Sequence, residues 1–268
     1  MFVNTYLHIF KMGLQNTAAY RTNFFFRALF NLVPLIAAIA MWRAIFGTGS
    51  RTIAGYSLAE MLSYYLIVTV VEITTAVTED EWQIATDIKD GTIGQFLVRP
   101  IDYLRYRLCL FSANRVIYTA ITVVPVTALI LWNCKYLVGP SGIVAALLFG
   151  CSLCLSALLQ FLLAYLTALL AFRVLEISTF SFMLLAAQRL ASGEMFPLDL
   201  LPNWLRDLLM LTPFPYCMFF PVSVYMGRLS SMNVAHGLVA QVVWIATILG
   251  LVQLVWRRGL ATYTAVGG

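Results

Sequence analysis

The sequence predicts an all-α polytopic membrane protein. It has six transmembrane helices, an interfacial amphipathic helix before the first, and re-entrant broken helices between the fifth and sixth. Three observations predict this. The 268 residues are 61% hydrophobic and only 11% charged, against roughly 25% charged in a soluble domain. Several apolar windows reach the about 20 residues that a bilayer core requires. Finally, residues 193–227 are apolar and aromatic yet carry Pro197, Pro202, Pro213, Pro215 and Pro221. An interior proline removes a backbone hydrogen bond and clashes with the preceding turn. In lipid an unsatisfied backbone group costs several kcal/mol. This stretch therefore cannot cross as one straight helix. It reads as short helices that dip into the bilayer and pack against protein.

In residues 1–23, Tyr6, Leu7, Phe10, Leu14, Thr17 and Ala18 recur at helical spacing, with Lys11, Gln15 and Arg21 elsewhere. That pattern fits a helix lying on the membrane surface. The expected spans are residues 24–46, 58–78, 108–132, 142–172, 175–192 and 234–256. The fourth is long enough to tilt or to extend past the bilayer. The first apolar run is long and carries Arg27 near its start, which reads as a retained helix rather than a cleaved signal. No repeat, low-complexity tract or linker divides residues 1–268, so the chain reads as one transmembrane domain.

Basic residues orient the chain. With the N-terminus in the cytoplasm, the inner side holds Lys11, Arg21, Arg27, Lys89, Arg99, Arg105, Arg107, Arg115, Arg173, Arg257 and Arg258. The outer side holds Arg43, Arg51, Lys135, Arg189, Arg206 and Arg228. This bias places both termini and the polar loop 79–107 inside, and the broken segment 193–227 outside. The net charge of +5 is scattered between spans. It is not gathered on one face, as nucleic-acid binding would need.

The loop carries Trp82, Ile84, Ala85 and Ile88 at helical spacing, Gly91 as a C-cap, then a short turn with Ile93, Phe96, Leu97 and Val98 that Pro100 stops. Such a short amphipathic helix suits docking into a partner's groove; an ordinary solvated connection is the alternative. Glu72 lies deep in the second span, where an acid either lines a path or pairs with Arg115 or Arg173. Arg173 and Glu176 have pairing distance on a helix. Arg27 and Arg43 bracket the first span and read as snorkelling. Gln188, Arg189 and Glu194 form an expected polar collar near the outer mouth. Gly193, Pro197 and Pro202 set an expected re-entrant turn closing that mouth, with Phe196, Trp204, Phe214, Tyr216, Phe219 and Phe220 bounding an apolar path or forming an interfacial belt. Cys109, Cys134, Cys151, Cys154 and Cys217 read as small packing residues. His8 and His236 fall on opposite expected sides of the membrane, which argues against a metal or acid–base site.

Two segments resemble a known family. The stretch Asp87-Ile-Lys-Asp-Gly-Thr-Ile-Gly-Gln-Phe-Leu-Val-Arg-Pro-Ile is similar to the loop between the second and third spans of type 2 ABC transporter permeases. Ser192-Gly-Glu-Met-Phe-Pro-Leu-Asp-Leu-Leu-Pro-Asn-Trp-Leu, followed by Thr212-Pro-Phe-Pro-Tyr, resembles that family's outer loop between the fifth and sixth spans. The resemblance implies an exporter half in a bacterial cytoplasmic (inner) membrane, working with a second permease, identical or paralogous, and two ATPase subunits. It implies that Asp87, Ile88, Gly91, Ile93, Phe96 and Leu97 belong to the element that couples to those ATPases. The chain has no Gly-x-x-x-x-Gly-Lys-Ser/Thr phosphate loop. ATP and magnesium are therefore expected on the partner, with no cofactor and no catalytic residue here. The aromatic, weakly charged outer segment points to an amphipathic or hydrophobic cargo such as a drug, lipid or glycoconjugate. A stand-alone secondary transporter or channel is the second reading, although only the C-terminal half is broken. An intramembrane lipid-modifying enzyme is the third, although no acid–base set is visible.

Overall fold

The computed structural model describes residues 2–262 apart from 20, 48–50, 78, 79, 99, 100, 133, 141 and 175. Pro100, Leu175 at the start of the expected fifth span, and the side chains of Arg27 and Leu97 lie outside the described residues. The regular structure described is helical, with one isolated bridge between Ile53 and Tyr56. In order the helices are α1 (Phe2–Ala19), α2 (Arg21–Phe46), α3 (Leu58–Thr75), α4 (Asp80–Lys89), α5 (Gly94–Leu97) and α6 (Tyr103–Trp132). There follow α7 (Ile143–Ala168), α8 (Ser178–Ala191), α9 (Asn203–Met210), α10 (Phe219–Tyr225) and α11 (Ser231–Thr262).

Four stretches are long and apolar enough to cross a membrane: Leu58–Thr75, Tyr103–Trp132, Ile143–Phe172 and Ser231–Ala261. The chain is a multi-pass helical membrane protein. α2 is 26 residues long but its apolar part is Leu32–Phe46. α8 has 14 residues and rises about 21 Å, less than the roughly 30 Å of a hydrocarbon core. It begins three residues later than the expected fifth span. α6 and α11 start earlier than hydropathy suggests, because the polar turns at Tyr103–Arg107 and Ser231–Asn233 are helical too.

α3 and α7 are the centre of the bundle. α3 packs on α2, α6, α7 and α10, and α7 packs on α4, α8, α10 and α11. Met61, Leu62, Tyr64, Leu66 and Val71 of α3 are fully buried, as is Leu159 of α7. α3 starts with a capping box: Ser57 Oγ accepts the Glu60 N–H, and Glu60 Oε2 accepts the Ser57 N–H at 2.8 Å. The outward faces carry Val124, Trp132, Ile143, Leu147 and Phe182, all strongly exposed, as a lipid-facing surface requires. Cys151 and Cys154 also face outward, so these two are not core packing residues; Cys217 is buried.

α1 lies along the first turns of α6. A Cβ on Gly13 would sit 2.8 Å from Ala113 Cβ, so only glycine allows this approach without adjustment. Thr17 hydrogen-bonds Asn114, and the Asp102 N–H donates to Tyr6 Oη at 3.2 Å. The contact face keeps Tyr6 and Thr17 of the expected face but turns toward Ile9 and Gly13. Leu7 and Met12 are half-exposed and point away from α6. Close approach at a glycine, which hydropathy does not encode, sets this choice of face.

Candidate functional site

The loop between α3 and α6 is held by its own chain. Ile84, Ile88 and Ile93 are buried, and α4 packs on α7 and on the turn Leu169–Phe172 that follows it. Gly91 takes φ +77°, the left-handed angle of a helix C-cap, as its sequence position suggested. Asp87 pairs with Arg107 of α6, which is 5% exposed. Arg107 Nε donates to Tyr103 Oη at 2.9 Å and Nη1 to Gln83 Oε1 at 3.0 Å, while Tyr103 Oη donates to Asp87 Oδ2 at 2.6 Å. Phe96 packs edge-on against Tyr103 and tilted against Tyr106, at 5.1 and 4.8 Å between ring centres. Tyr103 stacks on Trp256 of α11 at 5.6 Å, and Trp256 meets Phe172 at 5.9 Å. One aromatic cluster therefore ties the loop to α6, α7 and α11. Ile88 and Ile93, which were expected to face a partner's groove, are covered within the chain, while Phe96 is half-buried against Tyr103 and Tyr106. Among the described side chains of the loop, Trp82 and Val98 are the large apolar ones left outward, beside exposed Gln83, Thr86, Asp90 and Gln95.

The broken segment folds at the opposite end of α3. After α8 the chain turns at Gly193, φ +85°, where a Cβ would meet Phe219 Cβ and Tyr64 Oη, both at 2.8 Å. Buried Pro197 precedes the 3-10 turn Leu198–Leu200, and exposed Pro202 precedes α9. A second 3-10 turn, Phe214–Cys217, leads into α10. Pro197, Pro202 and Pro213 stand just before helical turns, and Pro215 and Pro221 lie in the first turns of theirs, where a missing N–H costs least. Chain breaks free backbone carbonyls, and the spans satisfy them. Tyr64 Oη donates to Gly193 O and Tyr65 Oη to Met195 O, both at 2.6 Å. Ser156 Oγ donates to Cys217 O, and Gln241 Nε2 donates to Tyr216 O at 2.9 Å. The Phe219 N–H closes on Ser192 O at 2.8 Å, fastening the two ends of the segment together. α10 is buried between α3 and α7, whereas α9 has no buried residue and Trp204 is 69% exposed. Phe196 and Phe214 are half-buried and Tyr216 is buried, so these aromatics do not share one lining.

A polar clamp fixes this end. Tyr56 Oη donates to Asp199 Oδ2 at 2.7 Å, and the Arg228 guanidinium lies 3.7 Å from the centre of the Tyr56 ring. Burial, and then the Asp199 carboxylate, raise the Tyr56 phenol above its ordinary range, so it stays a donor. Arg228 also reaches Glu60 at 3.6 Å and Gly55 O at 3.3 Å, and Arg206 reaches Asp199 at 3.7 Å.

The charges inside the bundle pair differently from expectation. Glu72 shares a cavity wall with Arg115, one of its two expected partners, and with Arg189 and Glu194, whereas Arg173 is not among the residues there. Arg189 Nε lies 3.4 Å from Glu194 Oε1. Gln188 Nε2 donates to Gln160 Oε1 at 3.2 Å, and Gln160 Nε2 donates to Thr75 Oγ1 at 2.7 Å. Gln160 stands about 25 Å along α7 from Ile143 at 1.5 Å per residue. The collar therefore lies near the middle of the bundle, deeper than the mouth where it was expected. Glu176 accepts the Ser178 N–H at 3.0 Å at the start of α8 instead of pairing with Arg173. Arg43 lies over the Tyr136 ring at 5.2 Å.

Two cavities meet at Glu72, Arg189 and Glu194. One, of about 270 Å³, is lined also by Arg115, Tyr118, Gln160, Ser181 and Gln188. The other, of about 310 Å³, is lined by Pro34, Leu35, Ala38, Tyr65, Val68 and Met195. Sequence reasoning missed Tyr56, Tyr64, Tyr65, Ser156, Gln160, Gln241 and Arg228. The available signal was polar residues inside otherwise apolar spans, together with the Ser57-Leu-Ala-Glu60 capping pattern. No curated protein matches this chain. The pattern of the ABC-2 family transporter proteins matches residues 32–267. That match takes in the anchored loop, the broken segment and the four long spans, and the chain belongs to the ABC-2 family of transporter proteins.

Proposed function

We propose that this chain is the permease subunit of an ATP-driven exporter, moving an amphipathic or hydrophobic substrate by alternating access. ATP is hydrolysed by two cytoplasmic ATPase subunits, and a second permease, identical or paralogous, completes the pathway. The observation that carries this reading is the loop 80–98. Its inner face is locked to three long helices by Arg107–Asp87 and the aromatic cluster, while Trp82 and Val98 stay outward. A push on such a loop moves α6, α7 and α11 together, since packed interiors transmit displacement rather than absorb it. The docking face is then the outer one, Trp82, Thr86, Asp90, Gln95 and Val98, carried by the element that holds Asp87, Gly91 and Leu97.

In this reading α2, α3, α6, α7, α8 and α11 are the six spans, with both termini and the loop cytoplasmic. α8 is short because α10 fills the remaining depth. Cys217 O reaches Ser156 and Gln160, midway along α7, which supports re-entry of the broken segment. That segment is the outer gate, with Gly193, Glu194 and Pro197 at its hinge and α9 with Pro202 and Trp204 on the surface. The α1 helix lies at the inner interface with Leu7 and Met12 toward lipid.

Two experiments test this. Single cysteines at Gln95 and Asn203, both exposed, in a cysteine-free background should label from opposite sides of intact cells. Labelling of both from outside rejects the topology. Trp82→Ala combined with Val98→Asp should leave insertion intact and weaken co-purification with the ATPase by roughly 2–4 kcal/mol, the size of a hot-spot loss. Unchanged co-purification together with unchanged substrate-stimulated ATP hydrolysis rejects docking on this face.

A further inference from the structure

Glu72 is the one carboxylate at the cavity junction that is not closed by an ion pair among the described residues. Arg189 and Glu194 stand 3.4 Å apart and neutralise each other. Glu72 makes no side-chain hydrogen bond or ion pair there, although it lines both cavities. An isolated carboxylate at membrane depth is costly unless something answers it. The two cavities differ in what they offer. The first also holds a second cation, Arg115, seated over the Phe111 and Tyr118 rings at 5.8 and 5.0 Å. The second lacks Arg115 and has one negative charge in excess. Its remaining wall is apolar: Pro34, Leu35 and Ala38 of α2 face Val68 of α3. Tyr65 Oη and Thr69 Oγ1, which share that wall, are already committed to backbone carbonyls. On the other side of the junction Ser181 Oγ is buried without a partner among the described residues. Ser181 thus adds unfilled polar capacity on the first cavity's side, and Glu72 carries it at the junction itself. The volume of about 310 Å³ is at the lower bound of small-molecule pockets.

We propose that the cavity between α2 and α3 is a binding site for an amphiphilic monocation. Its charge meets the Glu72 carboxylate, and its apolar body lies against Pro34, Leu35, Ala38 and Val68. This names a substrate class for the exporter read above and rests on that reading only for its physiological meaning. Arg189 is a positioning residue. It holds Glu194 away from the ligand charge, so that the site presents one negative charge and not two.

The test uses the full chain with its ATPase partner in nanodiscs and two ions of like size and opposite charge, tetraphenylphosphonium and tetraphenylborate. Binding is measured over empty nanodiscs. The wild type should bind the phosphonium and not the borate, and equal binding of both ions overturns the proposal without any variant. Glu72→Gln should weaken phosphonium binding about tenfold or more, one unpaired charge being worth at least 1.4 kcal/mol at this depth. An unchanged affinity in a Glu72→Gln complex that melts normally also overturns it. Arg189→Gln frees Glu194 and should hold or strengthen phosphonium binding, whereas a loss equal to that of Glu72→Gln counts against the charge assignment. Phosphonium binding without any outward transport keeps the site and rejects the exporter reading. Export of a neutral or anionic compound with no phosphonium binding does the reverse.

Discussion

Replacing Arg107 by methionine is expected to release the loop 80–98 from the bundle. Arg107 is 5% exposed and holds three groups at once: Tyr103, Gln83 and Asp87. Methionine fills much of the volume but donates nothing. Asp87 then faces a protein wall with no counter-charge, and Gln83 loses the guanidinium that donates to it. Breaking one side of a buried pair costs about 3–5 kcal/mol. The Asp87 side chain is 23% exposed, so water recovers part of that. The expected loss is about 2–3 kcal/mol, or roughly 30- to 150-fold in the opening equilibrium of the loop. Hydrogen exchange at the α4 amides reads this directly, and they should exchange faster by that factor while α7 and α11 are unchanged. Combining Arg107→Met with Asp87→Leu should recover most of the protection, because an apolar pair of similar volume removes the stranded charge. Unaltered exchange in Arg107→Met would show that the aromatic cluster alone anchors the loop.

Gly193→Ala is expected to lower stability by roughly 2–4 kcal/mol. Two effects add. The residue sits at φ +85°, which an L side chain adopts only with strain. Its new Cβ would also lie 2.8 Å from Phe219 Cβ, an atom fixed at the first turn of α10, and 2.8 Å from Tyr64 Oη. Relieving the clash pushes α10 away from α3 or rotates Tyr64 off Gly193 O, which then stays unsatisfied in the bundle. Thermal unfolding of the purified chain should show the drop. Tyr64→Phe, which removes the hydrogen bond without the clash, should lose only about 1 kcal/mol. Equal melting of Gly193→Ala and wild type would mean that the turn is loosely packed and that the closure of Phe219 on Ser192 is not what holds the segment.

The sequence by itself determined the helical spans, the breaks between them, the polar loop and the family motifs. Each of these is a local property: a run of apolar residues long enough for a bilayer, or a cluster of prolines too dense for one straight helix. Gly91 as a C-cap was legible for the same reason, since its angle follows from a glycine just past an apolar helix. Tertiary structure alone decided which surface covers which face. The spacing of Ile84 and Ile88 says that one side of α4 is buried, and it reads the same whether the cover is α7 or another polypeptide. Only the fold shows that the cover is α7 and that Trp82 and Val98 are left outward. The same holds for charge. Glu72 was legible as an acid at membrane depth, but Arg189 is far along the chain and comes near it only because α8 ends in mid-bundle. Burial and pairing depend on neighbours brought together by folding. Composition and period record only what each segment needs, and the fold determines which neighbour meets that need.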